Sequence, residues 1–317
     1  MVSALLINIL KLYGFIAVGY IIGSVFKEKK EKISKIVTWL TINIFTPIII
    51  FLTFTATEYS MSVGDMIQIL LLEIVSVTFF WLTTYYGLRN RIEDKKKLGS
   101  YMYLNGLPNV LIYGIPIVIA FFSESLIIVL VVFTSGALVV RGTVGMYIGE
   151  KLGADIKLSV WDTIKRLLTF PPLLGILAGF IGMNLIDSNE VLVVTKDIIS
   201  PLYSGFGASI IGLILTKLKI QDVKDNLKDI GIVAFWRYVV SFIFYIAVVW
   251  FLRFPVDQTE IRTILLIAII GPPAVLNVTF AVYFGLDDKF AAVSVATITL
   301  ISLMLLPLEI YFGTNVF

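Results

Sequence analysis

LNGLPNVLIYGIPI, residues 104–117, lies inside a long apolar run and cannot form an ordinary helix. It contains Pro108 and Pro116, and a proline inside a helix removes a backbone donor and clashes with the preceding turn. In lipid, backbone freed by such a break is stable only where protein buries it or where it lines a wet cavity. We therefore expect a broken membrane helix that the rest of the chain encloses.

A second stretch of this kind lies far downstream, GPPAVLNVTF at residues 271–280. It opens with a glycine and two prolines, and an asparagine follows. Paired interrupted apolar segments in the two halves of a chain are typical of secondary transporters, which bind their substrate where the segments meet. The two stretches together predict a substrate site.

The composition is that of an integral membrane protein. Of the 317 residues, 58% are hydrophobic and only 15% are charged, whereas soluble domains have about 25% charged residues. The chain has no cysteine and no histidine, which excludes disulfides, thiolate metal sites, HExxH metalloproteases and Ser-His hydrolases. It has no P-loop, and Ser62 stands where a GxGD intramembrane protease has its first glycine. We predict no enzymatic activity, no cofactor, no metal and no nucleic-acid partner.

Ten segments are long and apolar enough to be membrane spans, each of which needs about 20 residues. They cover approximately residues 4–26, 34–55, 64–88, 98–122, 125–149, 166–186, 192–216, 229–252, 260–285 and 288–312. The loops after the odd-numbered spans hold nineteen of the 25 lysines and arginines, and the intervening loops hold three. Because cytoplasmic loops are enriched in basic residues, this predicts a multi-pass cell-membrane protein with both termini on the extracytoplasmic side.

The ten spans divide into two similar halves. Spans four and nine are the broken ones, and Pro47 in span two corresponds to Pro201 in span seven. Since each half has an odd number of spans, the second half must be inverted relative to the first. The sequence thus predicts an all-α protein with a first repeat at residues 1–149, a short cytoplasmic linker at 150–165, and an inverted repeat at 166–317.

Polar residues beside the breaks are candidates for substrate binding. A half-helix N-terminus is partly positive and suits an anion. Asparagines nearby supply neutral donors and acceptors, although they also serve to cap freed backbone, while the prolines and glycines shape the site. Asn43, with Thr46, is expected to face the interior of the bundle. The candidates are Asn43, Asn105, Pro108, Asn109, Gly114, Pro116, Pro272, Pro273 and Asn277.

Charged residues within spans are candidates for ion coupling. Glu73 and Arg141 lie deep in spans three and five, where pairing with each other is the structural alternative, and Asp65 and Gln68 lie near the outer end of span three. Without histidine, a coupling proton would fall to a carboxylate, and Na⁺ is the other candidate ion. Two further charges lie nearer the ends of their spans: Arg237, towards the cytoplasmic end of span eight, either has a function or snorkels, and Glu309 is expected to be interfacial.

The motif at residues 107–116, LPNVLIYGIP, resembles the LPN-x-L-x-x-GIP stretch of the auxin efflux carrier family. That family includes the plant PIN auxin exporters and prokaryotic malate and malonate carriers. Residues 272–308 are similar to its ninth and tenth spans, and residues 65–68, DMIQ, resemble the Asp-x-x-Gln opening of its third span.

The resemblance implies a carrier of small organic anions that works by an elevator mechanism, often as a homodimer. Spans one, two, six and seven would form a scaffold, and spans three to five and eight to ten a transport domain. Pro108 and Asn109 would lie at the crossover, with Pro272 and Pro273 at the second break. The long central loop of PIN proteins is missing, so auxin itself is an uncertain substrate. A channel- or uniporter-like facilitator and a non-transporting ligand sensor are the alternatives.

Overall fold

The computed structural model describes residues 2–56, 61–153, 161, 165, 168–186, 188–251 and 259–315. These residues are nearly all helical and contain no β-strand. In chain order the described α-helices are α1 (Val2–Val25), α2 (Lys30–Leu40), α3 (Thr46–Thr55), α4 (Val63–Leu88), α5 (Lys95–Gly106), α6 (Ile115–Phe121), α7 (Ile127–Val140), α8 (Met146–Leu152), α9 (Pro171–Leu185), α10 (Glu190–Leu215), α11 (Ile220–Asp225), α12 (Leu227–Ala234), α13 (Ser241–Phe251), α14 (Thr259–Ile270), α15 (Leu276–Phe284) and α16 (Asp288–Asn315).

Several helices match the dimensions of a bilayer, so the chain is an all-α membrane protein. Within the described ranges, six helices are long and apolar enough to cross a membrane. They are Lys30–Thr55, Val63–Leu88, Glu124–Leu152, Glu190–Leu215, Leu227–Val249 and Asp288–Asn315. Three shorter apolar helices, at Leu10–Val25, Val110–Phe121 and Pro171–Met183, accompany them.

Short π-helical segments interrupt or precede several of these helices. They are Thr41–Phe45, Val110–Gly114, Arg141–Gly145 and Phe235–Val240. Two of them are followed by a hydroxyl that bonds the carbonyl five residues back: Thr46 Oγ1 donates to Thr41 O at 2.7 Å, and Ser241 Oγ donates to Trp236 O at 2.9 Å. The hydroxyls thus satisfy carbonyls in turns where the α-helical ladder is disturbed.

The chain forms two compact units. Unit 1 comprises Met1–Met66, Leu111–Val132 and Arg166–Lys217, and unit 2 comprises Ile67–Val110, Phe133–Lys165 and Leu218–Phe317. Unit 1 therefore holds predicted spans one, two, six and seven, together with the second half of span four and the start of span five. The predicted linker at 150–165 begins within α8, and most of the rest of it lies outside the described residues.

Unit 1 is built on a close crossing of α1 and α10. A Cβ at Gly19 would lie 2.0 Å from the backbone oxygen of Ser209, and one at Gly212 would lie 2.0 Å from that of Ile16. Ser209 Oγ also donates to Phe15 O at 3.2 Å. Small residues let membrane helices approach until their backbones touch, which is how these two helices gain dispersion contacts without a hydrophobic driving force.

Unit 2 has an apolar core rich in aromatic side chains. Trp81 and Tyr103 meet edge to face with ring centroids 6.3 Å apart, and Phe284 and Phe290 belong to the same buried cluster. Tyr103 also donates from its hydroxyl to Gly145 O at 2.6 Å. This core packs around α5, whose last nine residues are all buried, and it fixes where the first helix break occurs.

Contacts between loops identify residues that lie at one end of each unit. In unit 1, Lys30 Nζ donates to Thr216 O at 3.1 Å, so the chain after α1 meets the chain after α10. In unit 2, Lys97 and Asp229 form an ion pair at 2.7 Å, and Ser100 Oγ donates to Asp287 O at 3.0 Å. The beginnings of α5, α12 and α16 therefore lie together at one end of unit 2.

Candidate functional site

Both predicted helix breaks are present, and they pair with each other inside unit 2. Helix α5 ends at Gly106 and α14 ends at Ile270. The Asn109 N–H donates to Pro272 O at 2.7 Å, and the Ala274 N–H donates to Leu107 O at 2.9 Å. These bonds flank an isolated antiparallel bridge between Pro108 and Pro273. The two extended segments therefore form a minimal two-stranded crossing.

This pairing satisfies backbone groups that the sequence analysis expected to be free for a ligand. Two amide N–H groups of the breaks, those of Asn109 and Ala274, bond the opposite segment. Buried backbone donors and acceptors are almost always paired, and here each break supplies the partner of the other. A ligand at the crossover would therefore be bound by side chains as well as by whatever backbone groups remain.

Arg237 binds the carbonyl ends of both interrupted helices. Its Nε donates to Gly271 O at 2.9 Å, its Nη1 donates to Asn105 O at 2.9 Å, and its Nη2 donates to Ile269 O at 2.6 Å and also to Gly271 O. The side chain is fully buried. The expectation that Arg237 snorkels to the membrane surface is wrong, because the last carbonyls of α5 and α14 offer it acceptors inside the protein.

The asparagines of the breaks have divided roles. Asn277 Nδ2 donates to Tyr103 O and to Leu107 O, both at 3.0 Å, so this amide caps the end of α5. Asn105 Nδ2 donates to Thr84 Oγ1 at 3.1 Å. Asn109 is 5% exposed, and its Nδ2 has no hydrogen-bond partner within the described part of the chain. Among the three, Asn109 is thus the residue with a donor left for a ligand.

The prolines and glycines of the candidate set are buried packing residues. Pro108, Pro272 and Pro273 line the crossing in unit 2. Gly114 and Pro116 belong to unit 1, where Gly114 packs near Leu130 and Pro116 against Gly207. Pro108, Pro272 and Pro273 thus shape the crossing, whereas a substrate-site role for Gly114 and Pro116 stays a prediction.

Asn43 and Thr46 make local bonds in unit 1. Asn43 Nδ2 donates to Trp39 O of its own helix at 2.9 Å. Thr46 is fully buried, and its hydroxyl contacts Tyr203 Oη at 3.5 Å in addition to Thr41 O. Substrate binding by Asn43 stays a prediction, and the structural role of its amide is the one that the geometry displays.

Glu73 is buried deep in unit 2, and Arg141 is partly exposed. The two side chains form no ion pair with each other. Glu73 Oε2 accepts from Ser76 Oγ at 2.6 Å, while its Oε1 has no partner among the described residues. The Arg141 guanidinium lies over the ring of Phe280, 5.5 Å from the ring centroid, and its Nε has no partner in the same ranges. The two charged groups therefore do not neutralise each other by direct contact.

Asp65 and Gln68 differ from the buried candidates. Ser62 caps the start of α4: its Oγ accepts from the Asp65 N–H at 3.1 Å and donates to Asp65 Oδ2 at 2.7 Å. Gln68 is exposed. The carboxylate of Asp65 thus has a local structural function.

Glu309, like Arg237, is a charged residue whose burial its position near the end of a span did not predict. It was expected at the membrane interface, yet it is 5% exposed, and neither carboxylate oxygen has a partner within the described residues. A charged residue inside an apolar span was the sequence feature that could have predicted this burial. The short distance from Glu309 to the predicted end of the span did not indicate exposure, because α16 continues to Asn315.

No family model matches the sequence, and no curated protein matches it either. The family resemblance therefore depends on the motifs alone, above all on residues 107–116.

Proposed function

We propose that this protein is a secondary active carrier of a small organic anion, such as a monocarboxylate or dicarboxylate, and a member of the auxin efflux carrier family. The observation that carries the proposal is the crossing of two helix breaks beside a buried, unpartnered amide donor, Asn109 Nδ2. Broken helices that meet inside a membrane protein are the usual substrate site of secondary carriers.

The unpartnered donors of unit 2 fit an anion, while the unpartnered amide oxygens of Asn105 and Asn277 are acceptors for donor groups of a ligand. Asn109 offers an N–H donor, and a carboxylate is an acceptor-only group that such a donor satisfies. Arg141, on the π-helical segment after α7, has an unpartnered Nε next to Phe280 and supplies a positive charge on the same unit. A guanidinium binds carboxylate oxygens with good geometry.

The proposed architecture is ten spans arranged as two inverted five-span repeats, with both termini outside the cytoplasm. The loop contacts support it, since Lys30 with Thr216, and Lys97 with Asp229, are pairs whose members the predicted topology assigns to the cytoplasmic side. The division into two units resembles the scaffold and transport domains that the family implies, and this supports an elevator mechanism. A homodimer is part of the proposal by the family resemblance alone. H⁺ and Na⁺ are the candidate coupling ions.

Transport by the purified protein in proteoliposomes tests the proposal. We would measure uptake and charge movement with indole-acetate, malate, malonate and amino acids. Saturable uptake of one carboxylate is expected, and Asn109→Ala should weaken its apparent affinity about three- to tenfold, because one neutral hydrogen bond contributes roughly 0.5–1.5 kcal/mol. The matched control is Asn315→Ala, since Asn315 is an exposed asparagine at the end of α16.

The alternatives make different predictions in the same assay. A channel-like facilitator would give non-saturating flux far above carrier turnover, and a sensor would bind an anion without moving it. Absence of uptake and of charge movement with every anion, combined with no thermal stabilisation by any of them, would contradict the proposal. Unchanged affinity in well-folded Asn109→Ala would remove Asn109 from the site and leave it as a backbone cap.

A further inference from the structure

Arg237 brings a permanent positive charge to the one place where both interrupted helices end in carbonyl groups. The carbonyl of Asn105 belongs to the last turn of α5, and those of Ile269 and Gly271 belong to the end of α14 and the residue after it. Helix C-termini carry a partial negative charge because their last carbonyls have no intrahelical partner. Two such ends converge on one guanidinium.

In secondary carriers with broken helices, unwound carbonyls and half-helix C-terminal ends are the groups that coordinate a coupling Na⁺. Here the carbonyls of three residues from two segments are engaged by four N–H donations from one side chain. A guanidinium has five donors in a fixed planar fork and stays protonated in proteins. It can therefore replace a metal cation both as a charge and as a bridge between the ends.

Arg237 has no ion partner among the described residues, because its guanidinium is turned towards the carbonyls. A buried charge needs hydrogen-bond partners that replace water, and here the partners are the carbonyls of Asn105, Ile269 and Gly271. The partial negative charge of the two helix ends faces the guanidinium, which agrees with a resident cation at this place.

We propose that Arg237 is the built-in cation of the crossover: it holds the carbonyl ends of both interrupted helices together, so that transport proceeds without a bound Na⁺. This deepens the proposed function and rests on it, because it specifies which ion the carrier does not use. It also gives Arg237 a positioning role, since the guanidinium acts on the substrate site through the two helix ends.

The first test uses the wild-type protein and Na⁺ itself. We would measure the midpoint of thermal unfolding in detergent, and uptake in proteoliposomes, in sodium, potassium and choline chloride at equal ionic strength. The proposal predicts the same midpoint to within about 1 °C in all three salts, and the same initial uptake rate, because no cation site depends on Na⁺. A saturable, sodium-specific rise of the midpoint, or uptake that requires Na⁺, would overturn it.

The second test removes the guanidinium and returns it as a small molecule. Arg237→Ala leaves buried carbonyls without donors, and we expect its unfolding midpoint to fall by about 10 °C. Methylguanidinium at low millimolar concentration should restore part of that loss, whereas methylammonium should restore less because it lacks the planar fork. Arg89→Ala is the control, since Arg89 lies over the Tyr86 ring near the end of α4 and should show no rescue.

If Arg237→Ala does not fold, Arg237→Lys tests the same point, because lysine keeps the charge but has all its donors on one nitrogen and lacks the planar fork whose Nε, Nη1 and Nη2 reach separate carbonyls. Its midpoint should be lower than that of wild type and should rise with methylguanidinium. A midpoint equal to that of wild type would overturn the bridging role, as would Arg237→Ala being as stable as Arg89→Ala.

These outcomes separate this inference from the proposed function. Sodium-dependent uptake of a carboxylate would confirm a carrier and contradict the role of Arg237. Absence of uptake for every anion would contradict the carrier, while the salt series and the methylguanidinium rescue would still decide whether Arg237 is the cation of the crossover.

Discussion

Units 1 and 2 treat buried polar groups in opposite ways. The buried polar side-chain atoms that lack a hydrogen-bond partner fall in unit 2, at Glu73, Asn105, Asn109, Asn277 and Glu309 among others, and within the described residues none falls in unit 1. The buried hydroxyls of unit 1 mostly bond carbonyls of their own helix, as Thr53 does with Ile49 O at 2.7 Å. Because an unpartnered buried polar group costs free energy, its persistence indicates a use other than stability.

The difference suggests that the two units have separate roles, stability in unit 1 and binding in unit 2. Unit 1 gains its stability from backbone contact at Gly19 and Gly212, which needs no polar chemistry and tolerates no added side chain. Unit 2 keeps unpartnered amide groups at its crossing and unpartnered carboxylates elsewhere in its interior, at a cost to stability that a substrate or ion can offset. Substitutions should therefore act mainly on folding in unit 1 and on both folding and binding in unit 2.

Gly212→Leu should have the largest effect on stability. Its Cβ would fall 2.0 Å from Ile16 O, so α1 and α10 must separate, and we expect a loss of about 3 kcal/mol or more. The measurement is the yield of monodisperse protein and the unfolding midpoint in detergent. Gly14→Leu is the matched control, because no heavy atom lies within 4 Å of a Cβ at Gly14. Equal behaviour of the two variants would refute the close crossing.

Asn277→Ala should have an intermediate effect on stability. It removes the two donations to Tyr103 O and Leu107 O at the end of α5, and although both carbonyls keep a backbone N–H partner, the loss of two buried hydrogen bonds at about 0.5–1.5 kcal/mol each should cost about 1–3 kcal/mol. Chemical or thermal unfolding would measure the loss against Asn315→Ala, whose amide bonds Tyr311 O on the surface. A loss no greater than that of the control would mean that the crossing does not depend on this cap.

The sequence predicts the helix breaks well because proline and glycine act locally. Pro108, Pro272 and Pro273 lack a backbone N–H and lie between helices, so these breaks follow from the sequence. Pro116 and Pro201, by contrast, lie within helices of the structure, so a single proline does not by itself predict a break. Local sequence does not show how the backbone donors and acceptors of the two breaks pair with each other. The bond from Asn109 N–H to Pro272 O joins residues that lie far apart in the chain, and it consumes a donor that local reasoning leaves free.

The roles of the charged residues were harder to predict for the same reason. Arg237 and Glu309 lie near the ends of predicted spans, and snorkelling is the expected behaviour of such residues when only their own helix is considered. The partners of Arg237 come from α5 and from the chain at the end of α14, 132 and 34 residues away at Asn105 and Gly271. Tertiary contacts of this kind are decided by the packing of the unit.

Asp65→Asn should have the smallest effect on stability. It tests whether an acid of unit 1 has only a structural role. Asp65 belongs to unit 1, and its carboxylate accepts a hydrogen bond from the Ser62 hydroxyl that caps α4, so the variant should lose only about 0.5–1 kcal/mol. Ser62→Ala removes the same cap and serves as the control.

If the buried acids of unit 2 carry a coupling proton, Glu73→Gln should change the pH profile of uptake while both cap variants keep it. A shifted profile in Asp65→Asn but not in Ser62→Ala would instead place proton coupling at an exposed acid of unit 1, and unpartnered burial would then be a poor guide to function in this protein.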